Sequence, residues 1–204
     1  MNVIALALAC YLLGSIPVAW IITKFSTGRD LRALGSGNVG VMNIALSVHR
    51  WAGVVVFGAE LLKGALAVIL ARAVSGEEIA IGLGALAAII GTRAPIWLQF
   101  KGGRGNTAAI GAMLAYSWLT FILLFAAWLA ARFGSRNNFF ATRITLLLTP
   151  IIFGIVVQSW YAVLFGALFS LIFATAHTIA TDDHLLIKQQ FPNLWAFISA
   201  PPRN

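Results

Sequence analysis

Long apolar runs separated by short polar knots dominate this chain. Val3–Thr23, Ala52–Ala71 and Ile79–Leu98 are each long enough to cross the hydrocarbon layer as a helix. Phe139–Val157 and Trp160–Ala176 repeat the pattern further on. Between them, Thr107–Ala131 reads either as one long span or as two short helices broken near Tyr116-Ser117-Trp118. Charge placement decides. Lys24, Arg29, Arg32 and Arg50 surround the knot after the first run, and Arg93, Lys101 and Arg104 surround the knot after the third. Glu77 and Glu78, with Arg72 at the edge, mark the connection between the second and third runs. Basic residues favour the cytoplasmic side, so both basic knots face the cytoplasm. An unbroken span over Thr107–Ala131 would put Arg132, Arg136 and Arg143 outside, whereas two helices return them to the cytoplasm.

The expected fold is an all-α membrane protein with seven transmembrane helices, its N-terminus outside and its C-terminus cytoplasmic. The fourth helix, from about Arg104 to Ser117, is short, about 20 Å at helical rise. It must start from backbone below the membrane surface, which is tolerated only where protein or water covers it. Residues 1–177 are read as one polytopic membrane domain and residues 178–204, with Pro192, Pro201 and Pro202, as a cytoplasmic segment.

Composition agrees with this reading. The 204 residues are 60% hydrophobic and 10% charged, and the mean hydropathy is +0.91, which excludes an ordinary soluble domain. The formal charge of +8 points to anionic lipid or an anionic substrate. Nucleic acid is excluded as a partner, because the basic residues are scattered between spans and form no patch. The single Cys10 rules out an internal disulfide framework and is read as packing. Leu8-Ala9-Cys10 faintly suggests a lipoprotein cleavage site, but no basic residue precedes the apolar stretch, which continues to Ile22. The reading is an uncleaved first helix.

The two knots carry the candidate chemistry. The first runs from Asp30 to Asn43 and contains Gly35-Ser36-Gly37-Asn38-Val39-Gly40. It fits G-x-G-x-x-G, but a dinucleotide site needs a βαβ context, and here membrane helices flank it. A plain linker would not need Ser36, Asn38 and Asn43 among its glycines, so a phosphate-binding loop is favoured. The second is Lys101-Gly102-Gly103-Arg104-Gly105-Asn106-Thr107. Its glycines let the backbone bend round an anion, Arg104 offers a bidentate pair, Lys101 offers a point charge, and a helix N-terminus follows. It lacks the spacing of a nucleotide triphosphatase loop, and a positive-inside anchor would not require three glycines. Glu60 and Lys63 share one face of the second span, either as a helix lock or as support for the site. His177 ends the last run, followed by Asp182, Asp183 and His184, whose spacing matches no common metal signature. His177 is read as a hydrogen-bonding candidate at the cytoplasmic cavity or, equally, as a solvated helix end. No hydrolase triad order, HExxH or CxxC is present.

Asp30-Leu31-Arg32, Gly35-Ser36-Gly37-Asn38-Val39-Gly40 with Asn43, then Glu60, Lys63-Gly64, Pro95 and Phe100-Lys101-Gly102-Gly103-Arg104-Gly105 together resemble the bacterial integral-membrane glycerol-3-phosphate acyltransferases that use acyl phosphate. The resemblance covers about the first 110 residues in order and spacing. It implies transfer of a fatty acyl group from acyl phosphate to the 1-hydroxyl of sn-glycerol 3-phosphate, with no metal or coenzyme; a monomer in the bacterial inner membrane is expected. It also implies that Ser36 and Asn38 lie near acyl phosphate, that Lys101 and the second glycine loop hold glycerol phosphate, and that His177 is the histidine of a third motif. Ser36, Asn38, Lys101 and His177 are thus the catalytic candidates. Gly35, Gly37, Gly40, Asn43, Gly102, Gly103, Arg104 and Gly105 are the substrate-binding ones, and Asp30, Glu60 and Lys63 support the site.

The chain departs from the family pattern at several positions. Leu46 stands for a basic residue, Thr92 for the histidine before Pro95, Arg104 for a lysine, Ala176 for an arginine and Ala180 for an asparagine. Arg50 and Arg93 are candidates to compensate for Leu46. Two further readings follow: a non-catalytic or altered-substrate relative that binds phosphorylated lipid precursors, and a small anion transporter built on broken helices. The second is disfavoured because both loops fall on one side and no inverted repeat is evident.

Overall fold

The computed structural model describes residues 2–179, with side chains described to Thr175. Nine α-helices follow in order among these residues: α1 (Val3–Ser15), α2 (Val18–Thr27), α3 (Val41–Ser47), α4 (Arg50–Val74), α5 (Glu78–Arg93), α6 (Asn106–Tyr116), α7 (Trp118–Ser135), α8 (Asn138–Val157) and α9 (Trp160–Ile179). Single 3₁₀ turns at Leu31–Ala33 and Ile96–Leu98 precede the two glycine loops. Among the described residues, five segments are long and apolar enough to cross a membrane: Val3–Thr27, Arg50–Val74, Glu78–Leu98, Trp118–Ser135 and Asn138–Val157. The chain is therefore an all-helical, multi-span membrane protein over the described residues.

The stretch Thr107–Ala131 is two helices. Ser117 is extended, with φ −156°, and its Oγ accepts the N–H of Thr120 at 3.3 Å to cap α7. A short polar side chain can thus stop one helix and start the next with its backbone partnered. The first apolar run is also broken, which the hydropathy pattern does not reveal. Ile16 is extended and Pro17 has no N–H to give, so the last turn of α1 leaves carbonyls without helical partners. Lys63 supplies donors from α4: its Nζ donates to Gly14 O at 3.0 Å and to Ile16 O at 2.7 Å. Pro150 inside α8 deprives Leu146 O of its usual N–H, and Ser170 Oγ of α9 donates to that carbonyl at 2.7 Å.

Small residues set the closest helix contacts. A Cβ on Gly14 would strike Ala88 O, and one on Gly91 would strike Tyr11 O, so α1 and α5 touch backbone to backbone. Gly64 faces Ala108 O and Gly111 faces Leu61 O in the same way, joining α4 to α6. Close approach through small residues is how helices gain packing energy where lipid offers no hydrophobic drive. Cys10 is fully buried in this core, where it packs. On the other flank, Phe153 and Phe165 meet edge to face at 5.2 Å, and Tyr116 stacks on Phe165 at 4.9 Å, tying α6 to α8 and α9. The closely packed α1–α4–α5–α6 core carries both glycine loops.

Candidate functional site

Asp30 begins the first loop by capping the Leu31–Ala33 turn. Its carboxylate accepts from Arg32 N at 2.9 Å and from Arg32 Nη2 at 2.7 Å. The Arg32 hydrogen bonds hold the Asp30 carboxyl well below the usual carboxylate range. Arg32 Nη1 also donates to Leu98 O at 3.4 Å, reaching across to the turn before the second loop. Arg32 therefore joins the two loops through its own guanidinium.

Asn43 is the hub of the first loop. It is fully buried on α3, a helix the hydropathy pattern does not reveal. Its Nδ2 donates to Leu34 O at 3.0 Å, Asn38 O at 2.9 Å and Leu31 O at 3.3 Å. Its Oδ1 accepts from Ser36 N at 3.1 Å and from Ser47 Oγ at 3.0 Å. One amide side chain thus organises the backbone of residues 31–38. Gly35 and Gly37 have φ of +52° and +72°, a region that glycine enters without penalty, and a Cβ on Gly35 would collide with Asn43 Oδ1.

The second loop is built on the end of α5. Gly102 N donates to Arg93 O and Gly103 N to Thr92 O, both at 3.1 Å. Gln99 and Phe100 precede it with φ of 55° and 62°, an uncommon backbone for non-glycine residues. A Cβ on Gly103 would strike Val39 O of the first loop. The two loops therefore meet backbone to backbone.

Where they meet there is a cleft of about 100 Å³, walled by residues 38–42, Glu60, Thr92 and residues 104–107. The cleft gathers Asn38, Gly40, Arg104 and Gly105 of the sequence candidates, together with Glu60. Lys101 is exposed and lies outside the cleft walls, as does Ser36, which is half-buried. His177 falls in the last turn of α9, but its side chain lies outside the described residues, as do Asp182, Asp183 and His184. The expected cytoplasmic segment also lies outside them beyond Ile179.

Within the loops several amides are engaged: Gly37 N donates to Leu34 O at 2.9 Å and Gly40 N to Asn38 O at 3.0 Å. Gly102 N and Gly103 N are taken up by α5. The loops need these amides to hold their own shape, because buried backbone donors are almost always paired. The start of α6 lines the cleft, and its ladder begins with Ala109 N donating to Gly105 O. Asn106 and Thr107 precede that ladder, so the positive end of the helix lies at the cleft wall with Arg104. Asn43, expected to bind substrate, instead has its amide engaged by the loop. Thr92, Val39, Val41, Met42, Asn106 and Thr107 are cleft residues that sequence reasoning did not select. Asn106 and Thr107 directly follow the second loop, so that position was a signal available in the chain.

Arg93, a candidate to compensate for Leu46, donates from Nη1 to Ile172 O of α9 at 3.0 Å. Its stem packs on the second loop, since a Cβ on Gly105 would meet Arg93 Cγ at 3.2 Å. Arg93 ties α9 to the site. Glu60 and Lys63 form a buried ion pair of 2.9 Å, as their spacing predicts.

Comparisons with known proteins converge on one family. The family model described as glycerol-3-phosphate acyltransferase matches residues 4–183. Glycerol-3-phosphate acyltransferase 2 of Moorella thermoacetica is 39% identical over 165 residues, which cover 81% of this chain and 84% of that protein. A glycerol-3-phosphate acyltransferase of Rhodopseudomonas palustris (strain HaA2) is 37% identical over 148 residues, 72% of this chain and 75% of its own. The crystal structure of PlsY (YgiH), an integral membrane glycerol 3-phosphate acyltransferase, in its glycerol 3-phosphate form superposes with a TM-score of 0.73. That match has 25% identity and covers 93% of this chain and 92% of that one. With its spans, loops and cleft as described, this chain belongs to the glycerol-3-phosphate acyltransferase family.

Proposed function

We propose that this protein transfers a fatty acyl group from acyl phosphate to the 1-hydroxyl of sn-glycerol 3-phosphate, giving 1-acyl-glycerol 3-phosphate and inorganic phosphate. The observation that carries the reading is the meeting of two glycine loops around one cleft with Arg104 and the start of α6 at its wall. Acyl phosphate is a mixed anhydride with a good leaving group. The hydroxyl oxygen bonds to the acyl carbon, the carbon–oxygen bond to phosphate breaks, and the departing phosphate takes the hydroxyl proton. The protein then has to neutralise two phosphates, align hydroxyl with carbonyl and leave the acyl tail in lipid. Arg104 and the amides of Asn106 and Thr107 supply positive potential, and Asn38 supplies a side-chain amide. Lys101 and Ser36, on the same loops but outside the cleft walls, suit a second anion approaching from the membrane surface, and the resemblance assigns His177 to that role as well.

The same reading assigns seven spans: Val3–Thr27, α4, α5, the short α6, α7, α8 and α9. Both loops are then cytoplasmic, the N-terminus is outside, and the enzyme works as a monomer in the bacterial inner membrane. The helix break at Ser117 supports this count, because it returns Arg132 and Arg136 to the side of the loops. A reporter fused at Asn137 should read as cytoplasmic, and an external signal there would overturn the topology. The activity is tested by incubating purified protein with acyl phosphate and labelled glycerol 3-phosphate. Labelled lysophosphatidic acid is the expected product. Binding of glycerol 3-phosphate without turnover at any acyl chain length would replace the enzyme with a binding relative.

A further inference from the structure

Glu60 stands out in the cleft. It is the acidic residue among walls otherwise suited to anions, and it is 7% exposed. Its Oε1 pairs with Lys63 Nζ at 2.9 Å, while its Oε2 is buried with no hydrogen-bond partner. Lys63 cannot serve both oxygens. An ammonium has three donors, and Gly14 O, Ile16 O and Glu60 Oε1 engage them all. The neighbouring Thr92 hydroxyl has one hydrogen, for which Gly14 O and Ala88 O, both at 3.2 Å, already compete. A buried carboxylate oxygen without a donor is costly, so the site calls for one.

The acceptor proposed above offers the right group. Fully ionised phosphates carry only acceptors, so a carboxylate repels them. The glycerol portion carries hydroxyls, which are neutral donors. The Lys63 ammonium cancels the charge of Glu60, so the pair can sit beside an anionic substrate without expelling it. We infer that Glu60 Oε2 accepts a hydrogen bond from a hydroxyl of the glycerol portion and so makes Glu60 the residue that distinguishes a hydroxylated alkyl phosphate from a plain one. The inference rests on the reading that the cleft takes glycerol 3-phosphate. Arg104 and the start of α6 hold the phosphate end, and Glu60 sets the direction of the hydroxyl end. Lys63 positions Glu60 through the ion pair and is itself anchored on the broken end of α1.

Calorimetric titration of the full-length protein in detergent tests this with two ligands, sn-glycerol 3-phosphate and n-propyl phosphate, which has the same carbon skeleton and phosphate but no hydroxyl. Wild-type protein should prefer the hydroxylated ligand by about 10- to 100-fold, the range of one charge-assisted hydrogen bond. Glu60→Gln replaces the charged acceptor, and Glu60→Asp withdraws it by one methylene while keeping a charge for Lys63. In both variants the preference should fall below about threefold by the same relation. If one variant does not fold, the other decides. A preference that survives both substitutions would overturn the inference. So would an equal weakening of both ligands, which marks a purely structural role. Wild-type protein that binds neither compound would overturn the acyl-acceptor reading itself, and the Glu60 role with it.

Discussion

The two glycine loops reach the same cleft by different constructions. The first is held through a side chain: the amide of Asn43 engages three carbonyls, one backbone N–H and the Ser47 hydroxyl. The second is held by its own main chain, with Gly102 and Gly103 hydrogen-bonded to the end of α5 and pressed against Pro95 and Val39. A loop built on one side chain can be undone by deleting that side chain. A loop built on backbone contact can be undone only by adding atoms. The contrast also explains why glycines recur in both. In the first, Gly35 and Gly37 permit positive φ; in the second, Gly102 and Gly103 permit contact and Gly105 permits positive φ.

Deleting the hub should have the largest effect. Asn43→Ala strands several buried polar groups at once, each worth about 1–3 kcal/mol, for a total of about 3 kcal/mol or more. Melting temperature in detergent and acyl transfer should both collapse. A variant that keeps its activity would show that the first loop is held some other way. Next comes the charge presented by the second loop. Arg104→Ala should lower kcat/KM by the equivalent of about 2–4 kcal/mol. Arg104→Lys should recover most of that loss, since a point charge remains. Equal damage from both would show that the fork of the guanidinium is required.

Gly103→Ala sharpens the comparison from the other side. Its new Cβ would meet Val39 O, so the loops must part, at a cost of about 1–3 kcal/mol. The expected result is a kcat/KM loss of about 10- to 100-fold, from the separated walls of the cleft. An unchanged kcat/KM would show that the contact is dispensable. The smallest effect belongs to the bridge between the loops. Asp30→Asn removes a half-exposed ion pair with Arg32, worth at most about 1 kcal/mol. The folded carboxyl is held below its ordinary value, so its stabilisation is present above about pH 4 and is lost as pH falls towards the folded value. Melting curves should therefore show a constant gap between wild type and Asp30→Asn above about pH 5 that narrows below about pH 4. A gap that widens on acidification would contradict the pairing.

Several features were legible because their cause is local. Apolar runs declare membrane helices since lipid admits little else. Ser117 declared a break because the arginines beyond it needed a cytoplasmic side. Glu60 and Lys63, three apart on one helix, declared their ion pair. The kink at Pro17 was missed because hydropathy is blind to it, and α3 was missed because its seven residues are too few to show a period. Which donors stay open on the cleft was not legible for a related reason: the chain shows that donors exist, not which carbonyls claim them.

The chain by itself determined a multi-span helical membrane protein with two glycine loops suited to anions, because hydrophobic length and charge bias act residue by residue. Tertiary structure alone decided which groups face the cleft. Lys63 finds Gly14 across 49 residues, and Arg93 finds Ile172 across 79. Asn43 turns inward to its own loop, and Glu60 keeps one oxygen unpartnered at the cleft wall. These outcomes depend on which donors and acceptors meet once the helices pack, and hydrogen bonding between distant residues leaves no periodic mark in a sequence.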